Sequence, residues 1–72
     1  MSTNVPIPIV VNGEMQAVPE GVTILALLNQ LRLDPARVAV ELDRRIVKQA
    51  HWDTTTLQAG SQLEIVQFVG GG

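Results

Sequence analysis

The chain predicts an α+β domain, a mixed four- to five-stranded sheet packed on one main helix. Three observations lead there. Short apolar runs of strand character recur along the 72 residues, separated by turn signals. One stretch only, from Ile24 to Leu31, carries helical spacing of its apolar residues. Asn12-Gly13 sits between two of the extended runs, and both residues tolerate the positive φ of a tight hairpin turn.

Each element can be justified in order. Pro6-Ile7-Pro8-Ile9-Val10-Val11 is extended, because proline biases its predecessor toward β or polyproline conformations. The prolines remove ladder donors, so the strand proper is expected over Ile9 to Val11. The returning strand runs from Met15 to Val18 and closes at Pro19-Glu20-Gly21. Thr23 is an N-cap for a helix whose Ile24, Leu27, Leu28 and Leu31 share one face at i, i+3, i+4 and i+7. Arg32 is placed to end it near the negative pole, and Asp34-Pro35 stops it and opens a single further turn. About two turns of helix are not stable alone, so this one must lie on a sheet.

Val38-Ala39-Val40-Glu41-Leu42 alternates, with Val38, Val40 and Leu42 on one side. Asp43-Arg44-Arg45 turns the chain into a brief strand at Ile46-Val47. Residues 49–58 are irregular, with Asp53 able to cap a short turn over Thr54, Thr55 and Thr56. Ala59-Gly60-Ser61 turns again, and Leu63 to Val69 forms the last strand. A connection through a helix normally joins parallel strands, so the order hairpin, helix, strand, short strand, loop, strand gives the β-grasp arrangement. The domain is expected over residues 1–69, with a flexible Gly-rich tail at 70–72.

Size and composition narrow the chemistry. A domain this small buries only about 60% of its unfolded surface and ordinarily needs staples or tidy packing. There is no cysteine, so disulfides and thiol chemistry by this chain are excluded, and a 46% hydrophobic content leaves packing to hold the fold. His51 is the single histidine, which leaves no cluster with metal-ligand spacing and no nucleophile–base–orienter set. A net charge of −2 with scattered basic residues argues against a nucleic-acid footprint. The start has no basic leader and no run approaches the ~20 apolar residues of a membrane span, so a cytoplasmic location is expected. Phosphate-cradling glycine loops are absent, and Trp52 reads as a packing anchor for the long loop. The chain is not expected to be an enzyme.

The last strand and the glycines after it are the remaining candidates for function. If Leu63 and Ile65 point inward, Glu64, Val66 and Phe68 share the outer face, which a single helix cannot cover. Val66, Phe68 and Val69, extended by Ala39 on the neighbouring outer face, form an apolar patch of the kind that docks a protein partner. Glu41, Asp43 and Glu64 are candidates for an acidic rim around it. The run then passes into Gly70-Gly71-Gly72. Three extended residues reach about 10 Å, and a side-chain-free stem enters slots closed to other residues. That suits delivery of a carboxylate into another protein's active site.

These residues resemble the ThiS family, the ubiquitin-like sulfur carriers of thiamin biosynthesis within the MoaD/ThiS superfamily. The likeness lies in Val11-Asn12-Gly13-Glu14, in Arg37-Val38-Ala39-Val40-Glu41, in Trp52-Asp53-Thr54-Thr55-Thr56-Leu57, and in Glu64-Ile65-Val66-Gln67-Phe68-Val69-Gly70-Gly71-Gly72. The resemblance implies a ubiquitin-like β-grasp fold with Gly71-Gly72 as the working end and Gly70 as an extra residue of stem. It further implies adenylation of the Gly72 carboxylate by an ATP- and Mg²⁺-using enzyme of the ThiF type. Sulfur then comes from a donor such as a cysteine desulfurase, and the thiocarboxylate passes to a thiazole synthase of the ThiG type. No cofactor is bound by the carrier itself. Asp43-Arg44-Arg45 departs from the Asn-Gly-type turn frequent in the family. Two rival readings share the same terminus: the small subunit of molybdopterin synthase and a ubiquitin-like protein modifier.

Overall fold

The computed structural model describes residues 5–69. Five strands form one sheet: β1 (Pro6–Val11), β2 (Glu14–Pro19), β3 (Val38–Leu42), β4 (Arg45–Val47) and β5 (Gln62–Gln67), in the order β2-β1-β5-β3-β4. β1 and β5 run parallel at the centre, and every other pairing is antiparallel. The helix α1 (Ile24–Gln30) follows β2 and leads toward β3. It therefore connects two strands that point the same way with β1 and β5 between them. This is the expected β-grasp sheet on one helix.

The core follows from the two periodicities. Ile24, Leu27 and Leu28 of the helix meet Ile9, Val11, Val18, Val38, Val40, Leu63 and Ile65 from one face of the sheet, with Trp52 and Leu57 from the long loop closing the side. Among the described residues, alternation along each strand leaves the opposite face without a covering layer.

The helix ends are satisfied locally and from the loop. Thr23 caps the N-terminus, its Oγ1 accepting from Ala26 N at 3.1 Å and its carbonyl from Leu27 N at 3.0 Å. The remaining early donors, Ile24 N and Leu25 N, reach the carbonyls of Thr55 and Trp52, each at 3.0 Å. The first three N–H groups of the helix, which have no intrahelical acceptor, thus all find partners, and the ordinary ladder starts at Leu27. At the other end Arg32 takes a left-handed φ of 61°, with Arg32 N on Asn29 O and Leu33 N on Leu28 O. That is the paired closure of a Schellman motif. Arg32 therefore lies just past the helix. Asp34 then caps a 3-10 turn, Pro35–Arg37, as expected, through Oδ1 on Ala36 N.

Several strand boundaries, among them β4, which begins at Arg45 and not Ile46, and one turn differ from the sequence reading. β1 begins at Pro6, not Ile9, with Pro6 opposite Pro19 and Pro8 opposite Ala17. In a two-residue hairpin the closing pair is hydrogen-bonded and alternate pairs follow, so the prolines fall at positions whose nitrogens face away from β2. On that other side β1 pairs with β5 only at Val10 and Val11, so no ladder bond is forfeited. β2 covers Glu14–Pro19, wider than Met15 to Val18 by one residue at each end. The last strand covers Gln62–Gln67 and stops short of Val69, because its partner β3 begins at Val38. The turn over the threonines is closed by the hydroxyls of Thr54 and Thr55 donating to His51 O, at 3.3 and 2.7 Å, and not by Asp53.

Candidate functional site: the bare sheet face leading to the glycine tail

The site is built where β3 and β5 pair. Their register sets Ala39 opposite Val66 and Glu41 opposite Glu64 on the uncovered face, with Val40 opposite Ile65 toward the core. Phe68 comes just past the end of the strand, and its N–H donates to Arg37 O at 2.7 Å, which carries the antiparallel geometry one step further. Val66 is 58% exposed and Phe68 54% exposed, so neither is used by the core. Val69 is more exposed still. The structure thus brings Ala39, Val66 and Phe68 together on one face, with Val69 next in the chain. Gly70, Gly71 and Gly72 lie outside the described residues.

The carboxylates divide. Glu41 and Glu64 are direct cross-strand partners beside the patch. Asp43 does not join them; it occupies the β3–β4 turn, where Oδ1 accepts from Gln62 N at 3.0 Å and its own N–H reaches Gln62 O at 2.8 Å. This turn takes positive φ at both Asp43 (50°) and Arg44 (71°), the I′ geometry that Asn-Gly ordinarily supplies.

One residue of this face escaped the sequence reading. Ile46 pairs with Glu41 from β4 and is 77% exposed, continuing the apolar surface past the carboxylates. Its face depends on the hairpin register, which a two-residue apolar run does not reveal. The signal that would have found it is the two-residue turn at 43–44, which fixes Leu42 opposite Arg45 and hence Glu41 opposite Ile46. Met15, paired with Val10, is a second exposed apolar residue of the same face, on the far edge strand.

The remaining candidates are structural. Trp52 is buried, and its indole N–H donates to Val47 O at 2.8 Å, anchoring the loop as expected. His51 ends a 3-10 turn, Gln49–His51, and is exposed at the rim of an open groove of about 820 Å³ with Arg45 and Lys48. Among the described residues no group of three or more His, Asp or Glu side chains is placed to hold a metal.

Known proteins share this fold. The ThiS family model matches residues 9–72. The chain belongs to the ThiS family. Members of the family are carrier co-substrates of thiamin and thiazole biosynthesis, not catalysts. A thiamine biosynthesis protein, ThiS, from Geobacter metallireducens superposes in its crystal structure with a TM-score of 0.79 at 30% identity, covering 92% of this chain and 100% of that one. Its solution structure gives 0.76 at 32% identity, covering 92% and 88%. A thiazole synthase of Paramagnetospirillum magneticum is 39% identical over 64 residues, 89% of this chain and 20% of that protein. The thiazole synthase of Magnetococcus marinus is 38% identical over 61 residues, 85% and 19% respectively. This chain therefore spans about a fifth of the length of those two relatives.

Proposed function

We propose that this ThiS-family chain carries sulfur for the thiazole of thiamin on the carboxylate of Gly72, in the cytoplasm. The observation that carries the reading is that the family match continues through the glycines to residue 72. A stretch similar to this chain also lies within two proteins named thiazole synthase, as expected of two activities that serve one process. The apolar face of Ala39, Val66 and Phe68, continued by Val69, is the docking surface in this proposal, and Gly70-Gly71 is the stem.

The chemistry suits the residues present. An α-carboxyl group has a pKa of about 3.3–3.7, so at neutral pH it is an anion and a poor electrophile. Its oxygen attacks the α-phosphorus of ATP on an adenylating partner of the ThiF type, releasing pyrophosphate. The outer sulfur of a persulfide, formed by a donor such as a cysteine desulfurase, then displaces AMP to give an acyl disulfide. A partner's thiol attacks the donor-side sulfur, forming a new disulfide there and releasing the thiocarboxylate. A ThiG-type thiazole synthase is the acceptor. Glycine leaves the reacting carbonyl unhindered. ATP and Mg²⁺ belong to the partner in this scheme.

The test is intact-mass measurement of the full chain after incubation with ATP, the organism's adenylating enzyme, a persulfide donor and a thiol reductant. The expected product gains the mass of one oxygen-to-sulfur exchange at Gly72. Higher-mass conjugates in its place would assign the chain to protein modification. A chain lacking Gly71-Gly72 is expected to lose growth without thiamin, and unimpaired growth would end the carrier reading. If the same strain instead lost only molybdopterin synthesis, the chain would belong to the rival pathway.

A further inference from the structure

We propose that Asn12 is a positioning residue for the acyl-transfer arm, acting through the backbone of Ile65. β1 leaves the sheet at this residue, whose φ of 51° begins the turn completed by Gly13 at 84°. The last main-chain bond from β1 to β5 is Asn12 N on Leu63 O at 2.9 Å. Beyond it the Asn12 side chain takes over. Its Oδ1 accepts from Ile65 N at 2.8 Å and its Nδ2 donates to Ile65 O at 3.1 Å. A carboxamide carries the same donor and acceptor as a peptide group, so the side chain supplies one more rung to a parallel ladder that the main chain has already abandoned.

The location gives this rung its consequence. Up to Ile65 the last strand is held on both sides, by β3 and by β1 with its surrogate. From there on β1 has turned away, and a notch of about 280 Å³ opens beside Ile65 and Gln67, bordered by Asn12, Gln16 and Leu33. Val66, Gln67 and Phe68 are aligned from the β3 side, through Ala39, Val38 and the Arg37 carbonyl. Asn12 is thus the last β1-side hold on the strand that runs into the docking residues and then the glycines. Both of its side-chain bonds come from the amide, and glycine alone meets the backbone demand of the turn equally well. The side chain is therefore separable from the turn.

This inference rests on the sulfur-carrier reading, and the experiment keeps the two apart. Asn12→Asp retains the turn and the Oδ1 acceptor but sets a carboxylate against Ile65 O. Asn12→Gly retains the turn and removes the amide. Amide hydrogen exchange is measured on each folded chain, and adenylation by the organism's activating enzyme is followed by pyrophosphate release. In both variants exchange at Ile65 is expected to quicken about tenfold, with helix amides such as Leu28 unchanged. The kcat for adenylation is expected to fall about fivefold while KM stays within about twofold, the split that separates placement of the reacting group from docking. Unchanged exchange at Ile65 overturns the clamp. Quickened exchange with an unchanged kcat overturns the positioning role, and so does a uniform rise in exchange that includes the helix. If the wild-type chain is itself not adenylated, the functional reading fails, and exchange at Ile65 still decides the clamp.

Discussion

Trp52 joins two links that are easily confused, packing and hydrogen bonding. It is 3% exposed, closes one side of the core, and spends its single polar group on Val47 O. Its own carbonyl accepts from Leu25 N, so the same residue fastens the long loop to the start of the helix. Trp52→Phe keeps the aromatic body but removes the bond and leaves unfilled volume, at an expected cost of about 2 kcal/mol. A small domain has only about 3–5 kcal/mol of core stability to lose, so this is a large share. Thermal unfolding should show a midpoint lowered by about 8–16 °C. Because Trp52 lies on the helix side of the sheet, the folded fraction is expected to be adenylated with an unaltered KM.

Among the elements, the helix shows how far local signals reach. Its N-cap, apolar stripe and stopping point are legible because each depends on residues within about one turn of one another. The hairpin at Asn12-Gly13 and the alternation of β3 are legible for the same reason. The illegible features are set by distant neighbours. Asn12 meets Ile65 across 53 positions and Asp43 meets Gln62 across 19, and neither contact has a local signature. The last strand ends two residues before its apolar run does, because its end is fixed by where β3 starts. Arg32 is a subtler case, since a basic residue suits a helix C-terminus but here occupies the left-handed position of the closing motif. That conformation costs a residue with a Cβ about 1–2 kcal/mol. Arg32→Gly removes the strain, while glycine's greater freedom in the unfolded chain returns about 0.4–1 kcal/mol. The net expectation is stabilisation by about 0.5–1 kcal/mol, seen as a melting midpoint higher by about 2–8 °C. A lowered midpoint would show that the Arg32 side chain makes a contribution beyond its backbone.

At the scale of the molecule, the arrangement divides labour between the two faces of one sheet. The helix and the long loop bury one face, and packing there supplies stability. The other face carries Ala39, Val66 and Ile46, with Phe68 just past the strand end, around the opposed Glu41 and Glu64, next to the chain that leads into the glycines. Like charges directly opposite each other in a ladder are destabilising, so this row does not serve the fold. Half of Phe68 is already in solvent, so Phe68→Ala is expected to lower stability by less than about 1 kcal/mol. An aromatic at the centre of a docking patch, by contrast, is commonly worth about 2 kcal/mol to binding. Phe68→Ala should therefore raise the KM for adenylation about 30-fold with kcat little changed. Met15→Ala is the matched control. It removes a still more exposed apolar side chain from the same face, but on β2, two strands away from β5. Its KM is expected to stay at the wild-type value. Equal KM values for Phe68→Ala and wild type would place docking elsewhere, and equal losses in the two variants would spread it across the whole face. Only a loss confined to Phe68 ties docking to the end of the sheet from which the glycines depart.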